Sequence, residues 1–175
     1  MKRGSYREAV KGKCPEGERL DMLRCKDSFQ WCVPAPAADR VKVIEVADGD
    51  TITVDKGGER VRIRFYGVDA PEMGQPYGEK AREFVAGMIE GQEVRLVPRD
   101  ETSLGMMVAE VYIGESSLSS ALVRAGLAWW YKQYAPKDKN LAQLEQEARA
   151  AKLGLWADQN SIPPWEWKEK AKLKD

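Results

Sequence analysis

The chain has 175 residues, of which 43% are hydrophobic and 32% are charged, a composition typical of a globular protein with a buried core. No apolar run reaches the roughly 18 residues that a membrane-spanning helix requires, so no membrane association is predicted. Lysine plus arginine and aspartate plus glutamate are equal at 28 each, and there is no histidine, which excludes histidine-based triads, histidine general bases and imidazole metal ligands.

Residues 1–38 form a leading segment without clear periodicity, and it ends in Pro34-Ala-Pro36-Ala-Ala, a composition typical of a linker. The segment begins with Met-Lys-Arg, as signal peptides do, but no apolar run follows, so no signal peptide is predicted in this chain. It holds all three cysteines, at Cys14, Cys25 and Cys32. An odd number excludes a closed set of disulfides and leaves open one disulfide plus a free thiol, while the spacings disfavour zinc.

Residues 39–175 form the predicted domain, which is mildly acidic and begins with strands. The runs 41–46 and 51–54 are rich in β-branched residues and flank an Asp-Gly-Asp turn, which predicts a hairpin with an acidic tip. The run 60–65 alternates strictly between arginine and apolar residues, as a strand buried on one face does. The run 67–72 is a predicted loop because glycine and proline interrupt it.

The second half of the domain mixes helices and strands. Apolar residues recur at helical spacing over 79–91, which predicts an amphipathic helix that ends at a glycine. Two more strands are predicted at 93–97 and 108–113, and two more helices at 118–125 and 141–152. This order predicts an α+β fold, a five-stranded OB-type β-barrel with three packed α-helices.

Several short motifs occur in this domain in a fixed order. They are Asp48-Gly-Asp-Thr51, Arg64 with Asp69-Ala-Pro-Glu72, Gln75-Pro-Tyr-Gly78, Gly126-Leu-Ala-Trp129, Gly154-Leu-Trp-Ala157 and Pro163-Pro-Trp-Glu-Trp167. Each motif alone is unspecific, but in this order and across most of the chain they resemble the staphylococcal nuclease (thermonuclease-like) family. The resemblance implies a monomeric, secreted or periplasmic nuclease that uses Ca2+ to hydrolyse DNA or RNA.

Four residues are candidates for the metal site. The resemblance implies that Asp50 and Asp69 ligate Ca2+ through their carboxylates, that Thr51 contributes its backbone carbonyl, and that Asp48 belongs to the outer shell. All-oxygen ligands suit a hard cation such as Ca2+. Taken singly, the same residues also suit an ordinary turn and the start of a loop.

Three further residues are candidates for catalysis and substrate binding. A phosphodiester repels an attacking hydroxide, so hydrolysis requires cations at the phosphate oxygens and a base that activates water. Glu72 lies on the same loop as Asp69 and is the predicted general base, although a solvated loop acid would look the same. Arg64 is the predicted phosphate ligand, although charged strand faces are common. Tyr134 is the predicted substrate contact in an aromatic cluster whose tryptophans are expected to pack a helix onto the barrel.

The resemblance breaks before the fifth strand. The family has Asp-x-Tyr-Gly-Arg there, whose arginine is its second phosphate-binding guanidinium, and this chain has Thr102-Ser-Leu-Gly-Met106. Met106 can neither carry a charge nor donate a hydrogen bond. Losing such a contact typically costs on the order of 10²–10³ in rate, so weak turnover is expected unless another cation substitutes, and Arg99 is the nearest in sequence. The alternative is a catalytically silent module of the same fold that binds nucleic acid or protein.

Overall fold

The computed structural model describes residues 7–8, 18–20, 31–34, 39–101 and 105–172. The chain divides into two compact units, residues 1–38 and residues 39–175. The first unit contains three short antiparallel strands, β1 (Arg7–Glu8), β2 (Glu18–Leu20) and β3 (Trp31–Pro34), with β3 in the middle. Cys14 and Cys25 lie outside the described residues, so the alternatives for the three cysteines stay a prediction.

Five strands of the second unit close a β-barrel. In chain order the described strands of this unit are β4 (Asp39–Val46), β5 (Thr51–Lys56), β6 (Glu59–Phe65), the short β7 (Val68–Asp69), β8 (Glu93–Glu101), β9 (Met107–Ile113) and the short β10 (Ser116–Ser117) and β11 (Trp129–Trp130). The barrel consists of β4, β5, β6, β8 and β9. Antiparallel pairing joins β6 to β5, β5 to β4, β4 to β8 and β8 to β9, and a parallel pairing of β9 with β6 closes the ring. The predicted five-stranded barrel is confirmed.

Four α-helices accompany the barrel. They are α1 (Gly78–Ile89), α2 (Leu118–Arg124), α3 (Lys139–Ala150) and α4 (Pro164–Lys172), and a 3-10 helix spans Gly154–Ala157. The first three confirm the predicted helices, and side-chain caps begin two of them: Ser117 accepts from the Ser120 amide and Asp138 from the Leu141 amide. The sequence pattern predicts three helices, and α4 is a fourth that it does not predict. None of the described helices is long and apolar enough to cross a membrane.

The barrel interior is filled by the apolar faces that the sequence pattern predicts. On β6, Ile63 and Phe65 are fully buried, whereas Arg62 on the opposite face of the strand is exposed. Helix α1 buries Ala81, Val85 and Ile89, one residue per turn, against the same core. Residues of β6 and of α1 therefore belong to one core, which supports the loop between them.

Candidate active site

The acidic tip of the β4–β5 hairpin meets the loop that follows β6. Thr51 on β5 pairs with Arg64 on β6, and the Phe65 amide donates to the Asp50 carbonyl at 2.8 Å. Beyond β7, the Ala70 amide donates to Asp50 Oδ2 at 2.8 Å. Strand pairing and this amide bring Asp50 and Asp69 together, and both residues are only 3% exposed.

The hairpin turn approaches α1 so closely that only a glycine fits at its tip. A Cβ atom on Gly49 would lie 2.7 Å from the Cβ of Ala81 and 2.8 Å from the Cβ of Ala70, both far inside contact distance. The glycine between Asp48 and Asp50 therefore does more than favour a turn. It lets the acidic tip dock against the helix and the loop, and this docking sets the position of the carboxylates.

Arg64 lies between the two buried carboxylates. Its Nη2 atom is 3.3 Å from Asp50 Oδ2 and 2.5 Å from Asp69 Oδ1, and 24% of its side chain is exposed. Burial would lower the pKa of Arg64, but the charges of Asp50 and Asp69 outweigh it and raise the pKa above its ordinary value. The guanidinium is therefore permanently charged and holds the two aspartates in one cluster.

With all its carboxylates ionised, the site would carry more negative charge than its own residues neutralise. Burial raises the pKa of Asp50 to about 8; the guanidinium of Arg64 opposes this shift and the charges of Asp48 and Asp69 add to it. Burial likewise raises the pKa of Asp69, with Arg64 and Lys168 opposing. Three ionised aspartates against one guanidinium would leave two uncompensated charges, the charge of one divalent cation.

Asp48 and Thr51 support Asp50 from the turn. Asp48 Oδ1 accepts from the Asp50 amide at 3.0 Å, and the Thr51 hydroxyl donates to Asp50 Oδ1 at 3.0 Å. The Thr51 carbonyl accepts from the amides of Ala47 at 3.0 Å and of Asp48 at 3.4 Å, so it closes the turn. The Thr51 hydroxyl thus contacts the Asp50 carboxylate, and metal ligation by the Thr51 carbonyl stays a prediction.

A metal ion at this site would rely on few side chains. Among the described residues, no three carboxylate or thiolate side chains converge as a metal-binding group. Asp50 and Asp69 supply hard oxygen donors and negative charge. Both fit a cation such as Ca2+, which completes its coordination with backbone carbonyls and water. The chemistry of the donors thus agrees with Ca2+, as two carboxylate ligands of a larger oxygen shell.

The loop after β7 fixes Glu72 at the edge of the site. The Glu72 amide donates to Gln75 Oε1 at 3.1 Å, and Gln75 Nε2 donates to the Ile162 carbonyl at 2.8 Å. A Cβ atom at Gly78 would lie 2.1 Å from the Glu72 carbonyl oxygen, so the loop packs directly on the start of α1. The Glu72 carboxylate, 37% exposed, accepts from Lys168 Nζ on α4 at 2.7 Å.

An open cleft of about 270 Å³ lies beside these residues. Its charged lining comes from Arg64, Asp69 and Lys168, and Met106 contributes a thioether to the same wall. Arg99, the predicted substitute cation, instead donates to Glu110 from both Nε, at 2.9 Å, and Nη2. Lys168 is therefore the cleft cation that sequence reasoning missed.

Three stacked aromatic rings form the other wall of the cleft. Tyr131 lies between Tyr134, at a centroid distance of 5.0 Å, and Trp165, at 5.3 Å. Tyr134, the predicted substrate contact, is 58% exposed at the outer end of this stack. Trp129 is buried edge-on against Trp156 at 5.4 Å and so packs the fold, as expected for the tryptophans. Trp165 both packs the fold, because it anchors α4, and lines the cleft.

The geometry places all the predicted site residues around one cleft or directly behind it. Helix α4 supplies Lys168 and Trp165, which the sequence did not assign to the cleft. One sequence motif indicates their position. The motif at 163–167 precedes Lys168 directly. Lys168 follows Trp165 by three positions, so both lie on the same face of the helix.

A family model and several relatives match this chain. The family described as staphylococcal nuclease homologue matches residues 62–158, more than half of the chain. A micrococcal nuclease of Shigella flexneri is 36% identical over 150 residues, spanning 80% of this chain and 86% of the relative. An uncharacterized endonuclease of Escherichia coli O157:H7 is 38% identical over 144 residues, spanning 81% and 92%. A probable staphylococcal-like nuclease of Oryza sativa is 34% identical over 152 residues, spanning 86% and 40%. With this match and these identities, the chain belongs to the staphylococcal nuclease family.

Proposed function

We propose that this protein is a Ca2+-dependent nuclease that hydrolyses phosphodiesters of DNA or RNA. The observation that carries the proposal is the meeting of two buried carboxylates, Asp50 and Asp69, on either side of Arg64 beside an open cleft. Two ionised carboxylates in contact with one guanidinium have an excess of negative charge, which a divalent cation would neutralise. The names of the relatives, micrococcal nuclease and endonuclease, support the same class of reaction.

The residues around the cleft have distinct tasks in this proposal. When bound, Ca2+ would withdraw charge from the phosphate oxygens and lower the pKa of a bound water. Arg64 would donate hydrogen bonds to phosphate oxygens through its partly exposed guanidinium. Glu72 would accept the proton of the attacking water, because its carboxylate lies at the open edge of the loop after Asp69. Tyr134 offers an exposed ring face on which a base of the substrate would stack.

A second candidate function rests on Met106. This residue lines the cleft wall, where a cation would help to stabilise the charge that develops on the phosphate. A thioether gives no such help, which favours a silent module that binds nucleic acid without cutting it. The cluster of buried carboxylates favours the enzyme, because a module that only binds a polyanion gains nothing from uncompensated negative charge.

The test is cleavage of denatured DNA and of RNA with Ca2+ and with a chelator. We expect cleavage only with Ca2+, and we expect Glu72→Gln to slow it by at least about 10²-fold, the usual contribution of a general base. Glu79→Gln is the matched control, because Glu79 is exposed on the first turn of α1 and its loss should leave the rate unchanged.

A parallel experiment on Met106→Arg separates the two candidate functions. Cleavage by the parent chain supports the enzyme, and the added guanidinium is then expected to raise the rate. Cleavage that occurs only in Met106→Arg would contradict the proposal and establish a site that has lost its activity. If neither protein cuts, although calorimetry still detects Ca2+ binding, the nuclease assignment itself is wrong.

A further inference from the structure

The cleft contains a cation that the sequence motifs do not assign. Arg64 and Lys168 are the cationic side chains that line it within the described part of the chain. Arg64 contacts both buried aspartates, so much of its charge is already matched. Lys168 is 43% exposed, and among the described residues its acidic partner within ion-pair distance is Glu72, which is 37% exposed. Of the two, Lys168 is the cation more readily available to an incoming phosphate.

The position of Lys168 is fixed by packing rather than by its ion pair. Trp165, one helical turn before it on α4, stacks on Tyr131 at 5.3 Å and holds this face of the helix against the cleft. The Gln75 side chain ties the loop of Glu72 to Ile162, just before α4. The backbone of α4 therefore keeps Lys168 at the cleft wall, within reach of a ligand in the cleft, independently of its contact with Glu72.

The ion pair with Glu72 is of a kind that exchanges easily. Both side chains are more than a third exposed, and such pairs contribute little free energy because water screens them. Burial alone would lower the pKa of Lys168, but the hydrogen bond to Glu72 and the charges of Asp69 and Glu72 raise it above its ordinary value, so the ammonium stays charged. A phosphodiester entering the cleft offers this ammonium a second anionic partner.

We propose that Lys168 is a phosphate-binding residue of the cleft, which exchanges its contact with Glu72 for a phosphate oxygen when a nucleic acid enters. The exchange supplies the positive charge that Met106 cannot, and it frees the Glu72 carboxylate to accept a proton. This inference rests on the proposed function for its substrate class. It assigns to α4 a direct part in substrate binding.

The test measures binding separately from cleavage. In a Glu72→Gln background with Ca2+, a fluorescent single-stranded tetranucleotide is titrated with protein and followed by anisotropy. Loss of one charge-assisted hydrogen bond in Lys168→Met is expected to weaken binding by about tenfold. The same loss should reduce the slope of log affinity against log salt by about 0.7, the value for one phosphate contact on a single strand. Lys168→Arg should retain most of the affinity.

The matched control is Lys170→Met, an exposed lysine on the same helix that does not line the cleft. It should bind as the Glu72→Gln parent does, and circular dichroism should show all variants equally helical. The inference is overturned if Lys168→Met binds like the parent, if Lys168→Arg is as weak as Lys168→Met, or if the parent binds no oligonucleotide. If binding depends on Lys168 although the protein with Glu72 intact cuts nothing, the inference holds and the nuclease proposal fails.

Discussion

Arg64 determines the charge balance of the site. It is the cation in contact with Asp50 and Asp69, and replacing it with alanine would leave both carboxylates buried without that partner. Removing one member of a buried ion pair typically destabilises a protein by about 3 kcal/mol or more. We therefore expect Arg64→Ala to lower the free energy of unfolding by about that amount in chelator, and Ca2+ to restore part of it.

Urea unfolding with and without Ca2+ measures this effect. Arg62→Ala is the matched control, because Arg62 lies on the same strand but is exposed, and such surface substitutions usually change stability by less than about 0.5 kcal/mol. If Arg64→Ala is as stable as Arg62→Ala in chelator, the guanidinium does not compensate the aspartates.

Asp50 predicts a specific dependence of stability on pH. The ordinary pKa of an aspartate is 3.8, and burial raises the pKa of Asp50 to about 8 in the folded, metal-free protein. Between pH 3.8 and about pH 8 the folded state therefore binds the proton more strongly than the unfolded state. The stability that this proton contributes is fully present below about pH 4 and is lost as pH rises through about 8. Each unit of pKa displacement corresponds to about 1.4 kcal/mol.

The measurement is urea unfolding in chelator at several values between pH 5 and pH 8. We expect the parent to lose stability across this range by more than about 1 kcal/mol, and Asp50→Asn, which cannot ionise, to lose much less. Equal pH dependence in the two proteins would show that the Asp50 carboxyl does not hold this proton.

The close approach of the β4–β5 hairpin to α1 positions Asp50, a proposed metal ligand. A Cβ on Gly49 would collide with Ala81 and Ala70, and forcing extra atoms into packed space typically costs about 1–3 kcal/mol. Gly49→Ala should therefore destabilise the fold and weaken Ca2+ binding, because the turn that carries Asp50 must move. Thermal unfolding and calorimetry measure the two effects.

A matched glycine lies on the helix itself. Gly87 is exposed on α1 and a Cβ there would meet no atom within 4 Å, so Gly87→Ala should leave Ca2+ affinity unchanged and stabilise the helix by up to about 1 kcal/mol. If Gly49→Ala also binds Ca2+ like the parent, the turn tolerates displacement and its tight docking does not set the site.

The elements that could be predicted from the sequence are those with long periodic patterns. The alternation of 60–65 and the helical spacing of 79–91 each span enough residues to identify a strand and a helix. The two-residue strands β7, β10 and β11 carry no such pattern, because a period cannot be detected in two residues. Helix α4 is not predicted by the sequence pattern, and it contacts the cleft through Trp165, which stacks on Tyr131, a residue distant in the chain.

The residues of the site likewise include some that the sequence predicts and some that it does not. Asp50 and Asp69 lie in motifs close in sequence to the hairpin and to β6, so strand pairing and the Ala70 amide bring them together, with Glu72 on the same loop as Asp69. Lys168 reaches Glu72 only because α4 packs against the cleft, a contact between residues far apart in the chain. No local pattern encodes such a contact, and the cation nearest in sequence, Arg99, pairs with Glu110 instead.

At the scale of the whole molecule, substrate binding must rely on local rather than overall charge. The chain has equal numbers of basic and acidic residues, and residues 39–175 are mildly acidic, so the surface as a whole does not attract a polyanion. Arg64 and Lys168 are then the groups that displace counterions from a bound strand. Single-stranded substrate should accordingly bind with a small dependence on salt.

Two phosphate contacts correspond to a slope of log affinity against log salt of about −1.4 for a single strand. We expect this value for the Glu72→Gln protein with Ca2+, measured by anisotropy from low to physiological salt, and we expect it to be similar for oligonucleotides of four and of twelve nucleotides. A slope that steepens markedly with the longer strand would contradict this, because it would require basic contacts beyond the cleft. The same titration with chelator should show weaker binding at either length, because the divalent cation that attracts the phosphate would be absent.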